Sequence, residues 1–265
     1  MAAEARRGSE DAGADAASAE KQTLTLKIKE TIHRLKTELP ATVKLVAVSK
    51  YHPFEAIQEA YHAGQKCFGE SRPQELLAKI SRLEEIRTEK GDMNYMADVE
   101  WHFIGHLQTN KLKMVLPYVS LVQSVDSLRL LEAIDNWGAC NNKVTDILVE
   151  CHISSEDSKQ GFSREELLDL LSSGKAYPNV RVRGVMGMAS FTEDESVVIG
   201  DFQRLLDMHD MLADWIGESP LLPPYSGDEC GCAEISMGMS GDYPLAVSMG
   251  ATIIRIGSMI FGERG

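Results

Sequence analysis

Between residues 43 and 256 short, nearly continuous apolar runs alternate with longer segments of helical period. The runs are Val43–Ser49 (VKLVAVS), Lys66–Gly69, Trp101–His106 (WHFIGH), Val119–Val125, Thr145–His152, Val182–Met188, Glu234–Ser236 and Thr252–Ile256. Helical spacing falls between them at Pro53–Ala63, Pro73–Lys90, Thr109–Leu116, Leu128–Trp137, Arg164–Ser173, Asp194–Trp215 and Asp242–Met249. A further helix, Leu24–Leu39, sets Leu24, Leu26, Ile28, Ile32 and Leu35 against a face of Lys and Glu and stops at Pro40. Runs with few polar positions suit strands covered on both faces, as in a parallel sheet. Eight of them in a chain of 265 residues predict one α/β domain, a closed (β/α)8 TIM barrel, a fold typically of ~250 residues. An open doubly wound sheet is the alternative.

Composition narrows the class. Hydrophobic residues at 43% and charged residues at 25% are ordinary for a globular chain. Lys and Arg minus Asp and Glu, 27 − 40, gives −13, a balance that repels a phosphate backbone and argues against nucleic acid as partner. Every apolar run is far shorter than the ~20 residues of a membrane helix, so no membrane partner is expected. Residues 1–21 carry five acids and three bases without the apolar core of a signal peptide, and read as a disordered, acidic, Ala-rich tail ahead of a domain over 22–265. The loops Gly91–Asp98 and Gly217–Ala233 look flexible. Five scattered cysteines suit reduced thiols and a cytoplasmic location. Cys230 and Cys232 are the one pair spaced for a metal, but without a second pair nearby they read as a plain loop, so no metal site is expected. A monomer is expected rather than an obligate oligomer.

Barrel chemistry lies where strands end. The first run closes on Lys50, whose amine, desolvated at such a mouth, would be suited to a Schiff base with an aldehyde or ketone. An exposed lysine on the loop before Pro53 is the reading that position alone favours. Ser236-Met-Gly-Met-Ser240 follows the seventh run, and Arg255-Ile-Gly257-Ser258 closes the eighth, where barrels recurrently bind phosphate. Small residues there admit an anion to backbone N–H groups; the alternative is that Gly238 and Gly257 only shape turns. Met186, Met188, Met237 and Met239 are expected to pack the mouth, and Trp101 and Phe103 to pack as core.

Taken in order, Lys50 in VAVSK, Phe68-Gly69-Glu70, WHFIGHLQ (101–108) with Asn110-Lys111, Arg183-Gly184-Val185-Met186, SMGMS (236–240), and Arg255-Ile-Gly257 with Phe261-Gly262 closely resemble the pyridoxal phosphate homeostasis protein family. The resemblance runs from about Leu24 to Gly262. It implies a barrel like the alanine racemase N-terminal domain, with pyridoxal 5′-phosphate (PLP) as an internal aldimine on Lys50. It also implies cofactor contacts at Ser71, His106, Ser236, Gly238, Met239, Ser240, Gly257 and Ser258, with Arg255 approaching the pyridine nitrogen. The family usually has Gly-Glu-Asn where this chain has Gly69-Glu70-Ser71, which replaces an amide by a hydroxyl near the ring.

What the resemblance implies is a carrier in intracellular vitamin B6 homeostasis, supplying PLP to PLP-dependent apoenzymes without turnover and hence without catalytic residues. The alternatives are a PLP-dependent amino-acid racemase and a cofactor-free aldolase acting through Lys50. Racemisation needs a base on each face of the carbanion. In relatives of this fold the second base comes from a further C-terminal domain, whereas the sequence given stops three residues after Gly262.

Overall fold

The structure, a computed structural model, describes residues 23–154, 160–218 and 232–262. The tail and most of the Gly217–Ala233 loop, including Cys230, lie outside them. Helix α1 (23–38) precedes eight parallel strands: β1 Lys44–Val48, β2 Cys67–Glu70, β3 Glu100–Phe103, β4 Leu121–Val125, β5 Thr145–Cys151, β6 Val180–Gly187, β7 Glu234–Ser236 and β8 Ile253–Ile256. They pair in chain order, and β8 returns to β1 in the register Lys44↔Ile253 through Ala47↔Ile256, closing the barrel. Closure removes the open edges that a doubly wound sheet keeps.

The outer layer is α2 Phe54–His62, α3 Pro73–Lys90, α4 Leu112–Val115, α5 Leu128–Asn141, α6 Arg164–Ser172, α7 Glu195–Glu218, α8 Tyr243–Ser248 and α9 Ser258–Phe261, with a 3-10 turn Thr109–Lys111 before α4. Sequence places the stops. Pro53 and Gly64 bracket α2, Pro73 starts α3 and Gly91 ends it in the left-handed region at φ 64°. A capping box between Ser163 and Glu166 opens α6. On α1, Ile28, Ile32 and Leu35 are buried, whereas Leu24 and Leu26 are exposed, so the apolar face is narrower than the pattern suggests. The Gly91–Asp98 loop is tied down: Arg87 donates to the carbonyls of Tyr95 (2.9 Å) and Met96 (3.1 Å), and the Met96 side chain is buried.

Alternation along the strands sorts two cores. Ala47, Phe68, Trp101, Phe103, Val122, Ile147, Val149 and Ile254 face the helices, where each wholly buried Val, Ile or Phe side chain contributes roughly 1.5–3 kcal/mol. Val46, Cys67, Leu121, Leu148, Met186 and Ile253 fill the barrel itself. The inward positions of β1 thus lead from Val46 through Val48 to Lys50 just beyond the strand.

Candidate functional site

A cavity of about 630 Å³ opens at the carboxyl ends of the strands. Its polar wall is Lys50, His52, Ser190, Thr192, Ser240, Asp242, Arg255 and Ser258, with Asp242 accepting the Met239 N–H, and its apolar wall includes Ile104, Met188 and Met239. Lys50 is half-buried. His52 stacks on Phe261 at 5.1 Å, and burial together with Lys79 lowers its pKa. Ser258 Oγ donates to Ser240 Oγ at 3.2 Å, bringing the loops after β7 and β8 together. Gly257 sits against Val48, where an added Cβ would stand 3.2 Å from the Val48 carbonyl oxygen.

Below the cavity a polar chain crosses the barrel. Arg255 Nη1 donates to Ser236 Oγ at 2.6 Å, Ser236 Oγ donates to Gln123 Oε1 at 2.6 Å, and Gln123 Nε2 lies 2.7 Å from His102 Nδ1. Arg255 Nη2 also donates to the Gly187 carbonyl at 2.9 Å. All four side chains are buried. Burial pushes Arg255 down to about 10, which leaves it a cation at neutral pH. Glu150, also buried, is pushed up to about 7 by desolvation and by Asp126, against the pull of Arg255 and His106.

Lys50, Met239, Ser240, Arg255, Gly257 and Ser258 therefore meet at one cavity. Other expected contacts do not reach its wall. Ser236 is wholly buried, with its hydroxyl shared between Arg255 and Gln123, so it supports Arg255 from beneath the cavity. Gly238, at φ 94°, accepts the Arg255 N–H at 2.9 Å on its carbonyl and packs on Ala246, the turn-shaping role that its sequence position left open. His106 is bonded through Nδ1 to Asp126 Oδ2 at 2.8 Å. Ser71 packs on Gly105, where a Cβ would come within 2.7 Å of the Ser71 Cβ. The four methionines divide: Met188 and Met239 line the cavity, Met186 fills the barrel and Met237 joins the outer core.

Sequence reasoning does not single out Gln123, Glu150 or Ser190. The first two are polar residues inside apolar strands, LVQSV and ILVEC, and such an interruption is the signal that marks them. At the opposite end of the barrel the ligand atoms of Cys67, Glu100 and His102 lie within 4.8 Å of one another. Lys44 already compensates this group, with Nζ 2.9 Å from Glu100 Oε2; burial raises the Cys67 thiol and, with Lys44, pushes His102 down to about 3.

The cavity suits a small anion carrying a carbonyl. It offers two cationic side chains in a chain of net charge −13, two converging hydroxyls, and the Ser190 hydroxyl, a buried donor with no hydrogen-bond partner among the described residues. By fold, residues 25–265 match the alanine racemase N-terminal domain family. The chain belongs to the pyridoxal phosphate homeostasis protein family within that fold. It is 37% identical to the pyridoxal phosphate homeostasis protein of Aquifex aeolicus over 221 residues, 83% of this chain and 87% of the relative, and 36% identical to that of Mus musculus over 246 residues, 90% and 83%. Among solved structures it resembles PipY of Synechococcus elongatus with PLP bound, at TM-score 0.72 and 32% identity over 89% of this chain and 100% of PipY. Alanine racemase of Corynebacterium glutamicum shares the fold at TM-score 0.63 and 14% identity, over 90% of this chain and 61% of the racemase.

Proposed function

We propose that the chain binds PLP at the barrel mouth as a Schiff base on Lys50 and serves intracellular PLP homeostasis, holding the reactive aldehyde and supplying it to apoenzymes without turnover. The observation that carries this is the convergence of Lys50, Arg255 and the Ser240–Ser258 pair on one cavity, in a chain whose relative PipY was solved with PLP bound. Ser240, Ser258 and the backbone at Gly257 would hold the phosphate, and Arg255 would face the ring nitrogen. PLP, when bound, supplies an aldehyde and a conjugated ring that can accept electrons.

The residues favour retention over turnover. A guanidinium only donates hydrogen bonds, so Arg255 would keep the ring nitrogen unprotonated and weaken the electron sink that racemisation requires. Ser236 and the Gly187 carbonyl fix Arg255, and two of its five N–H donors are used in doing so. The test is to load the purified chain with PLP, record its absorption before and after borohydride, and map the modified peptide by mass. A reduced adduct on Lys50 is expected; no adduct, or one on Lys44 or Lys111, overturns the assignment.

A further inference from the structure

Two residues one turn apart on α3 grip the backbone on either side of Lys50. Lys79 Nζ donates to the Ser49 carbonyl at 2.8 Å, and Glu75 Oε2 accepts the Tyr51 N–H at 2.9 Å. The Ser49 carbonyl belongs to the peptide plane before Lys50 and the Tyr51 N–H to the plane after it. Because each peptide unit is rigid, restraining both planes restrains φ and ψ of Lys50, and with them the direction of its Cα–Cβ bond.

Several further contacts reinforce this pair. Glu70 Oε1 accepts both Lys79 Nζ and Ser49 Oγ at 2.5 Å, making a buried ion pair behind the end of β1. Burial raises the pKa of Glu70 against the pull of Lys79. Arg72 pairs with Glu75 at 3.3 Å and lies 4.5 Å from the ring centroid of Tyr51. Tyr51 is held at φ 68°, in the left-handed region that bulky residues avoid. A buried ion pair is a poor source of net stability, and a left-handed tyrosine opposes it, yet both flank one lysine.

We propose that Glu75 and Lys79 are positioning residues that aim the Lys50 amine into the cavity. This rests on the reading of Lys50 as the attachment point, and it assigns α3 a part in setting that amine's reactivity and its hold on PLP.

The test uses the full chain as wild type, Glu75→Ala, Lys79→Met and Lys79→Arg, with thermal unfolding to confirm folding. Without cofactor, the pH dependence of reductive methylation at Lys50 is read by peptide mass mapping. With PLP loaded, its dissociation rate and the pH midpoint of its absorption band are measured. Glu75→Ala and Lys79→Met should shift the methylation profile and release PLP about tenfold faster, a change of ~1.4 kcal/mol, and Lys79→Arg should restore much of both. Should Lys79→Met fail to fold because Glu70 loses its partner, Glu75→Ala decides. Folded variants with wild-type methylation, release and pH midpoint overturn the clamp. If wild type forms no adduct on Lys50, the attachment reading fails, while the methylation profiles still decide the clamp.

Discussion

Ser240 and Ser258, eighteen positions apart, share a hydrogen bond at the rim of the cavity. Each hydroxyl is therefore within reach of one small anion. Hydrogen bonds to a charged partner contribute ~1.5–3 kcal/mol each. Replacing both with Ala should weaken PLP by at least about tenfold while leaving unphosphorylated pyridoxal nearly unaffected. Absorbance titration of both ligands measures the ratio; an unchanged ratio places the phosphate elsewhere.

Ser236→Ala should behave differently. That hydroxyl joins Arg255 to Gln123 inside the barrel, so its loss leaves buried donors and acceptors unmatched at a cost of about 1–3 kcal/mol. Urea unfolding should show the loss, and the PLP-to-pyridoxal preference should stay near wild type. A collapse of that preference with stability intact would return Ser236 to the phosphate site.

Glu150 makes stability depend on pH. Its folded pKa of about 7 lies above the ordinary carboxylate value of 4.5, so the folded chain holds that proton more tightly than the unfolded chain. Below pH 4.5 both forms are protonated and nothing is lost. As pH rises from there through 7 the unfolded chain gains by ionising first, and the folded state loses about 3 kcal/mol. Glu150→Gln should thus be more stable than wild type at pH 8 and converge with it by pH 4. Melting temperatures that differ equally at both pH values would contradict this.

Arg255→Glu puts a carboxylate where the guanidinium was, beside the coulombic partner Glu150. If position 255 faces the ring nitrogen, the PLP-loaded variant should change its absorption spectrum and slowly transaminate added amino acids. Full occupancy with a wild-type spectrum would remove Arg255 from the ring. Wild type itself should convert no L-alanine to D-alanine at ordinary enzyme rates, roughly 1–10³ per second; chiral chromatography showing such turnover would establish a racemase.

The barrel was legible because its signals are local. Apolar runs mark strands buried on both faces, and β7, Glu234–Ser236, matches its run residue for residue. Helix α9, Ser258–Phe261, was missed, since four residues are too few to show a period. At the site, strand ends locate Lys50 and Arg255 on the cavity wall, whereas Ser236, close to Ser240 in sequence, lies beneath that wall. Inward parity says that Ser236 faces the barrel; how deep it sits depends on the stagger between strands, which no short window carries. Its partner Gln123 is 113 positions away. The grip of Glu75 and Lys79 on Lys50 was hidden similarly, because on α3 both look like solvated helix charges.

The line from Arg255 to His102 runs in one sense. Arg255 has no lone pair to offer, so Ser236 receives from it, and with the Gln123 amide placed as it is Ser236 points its proton at Gln123 Oε1. Gln123 then donates to Nδ1 of His102, and the imidazole, kept neutral by burial, carries its proton on Nε2, 3.9 Å from Glu100 Oε2. The interior is thereby electrically aligned, its dipoles running from the guanidinium near the mouth to a carboxylate at the far end. A tautomer at the bottom of the barrel is thus linked through two side chains to a cation at the top, and a replacement at 255 that can accept a proton would let Ser236 turn its own proton the other way.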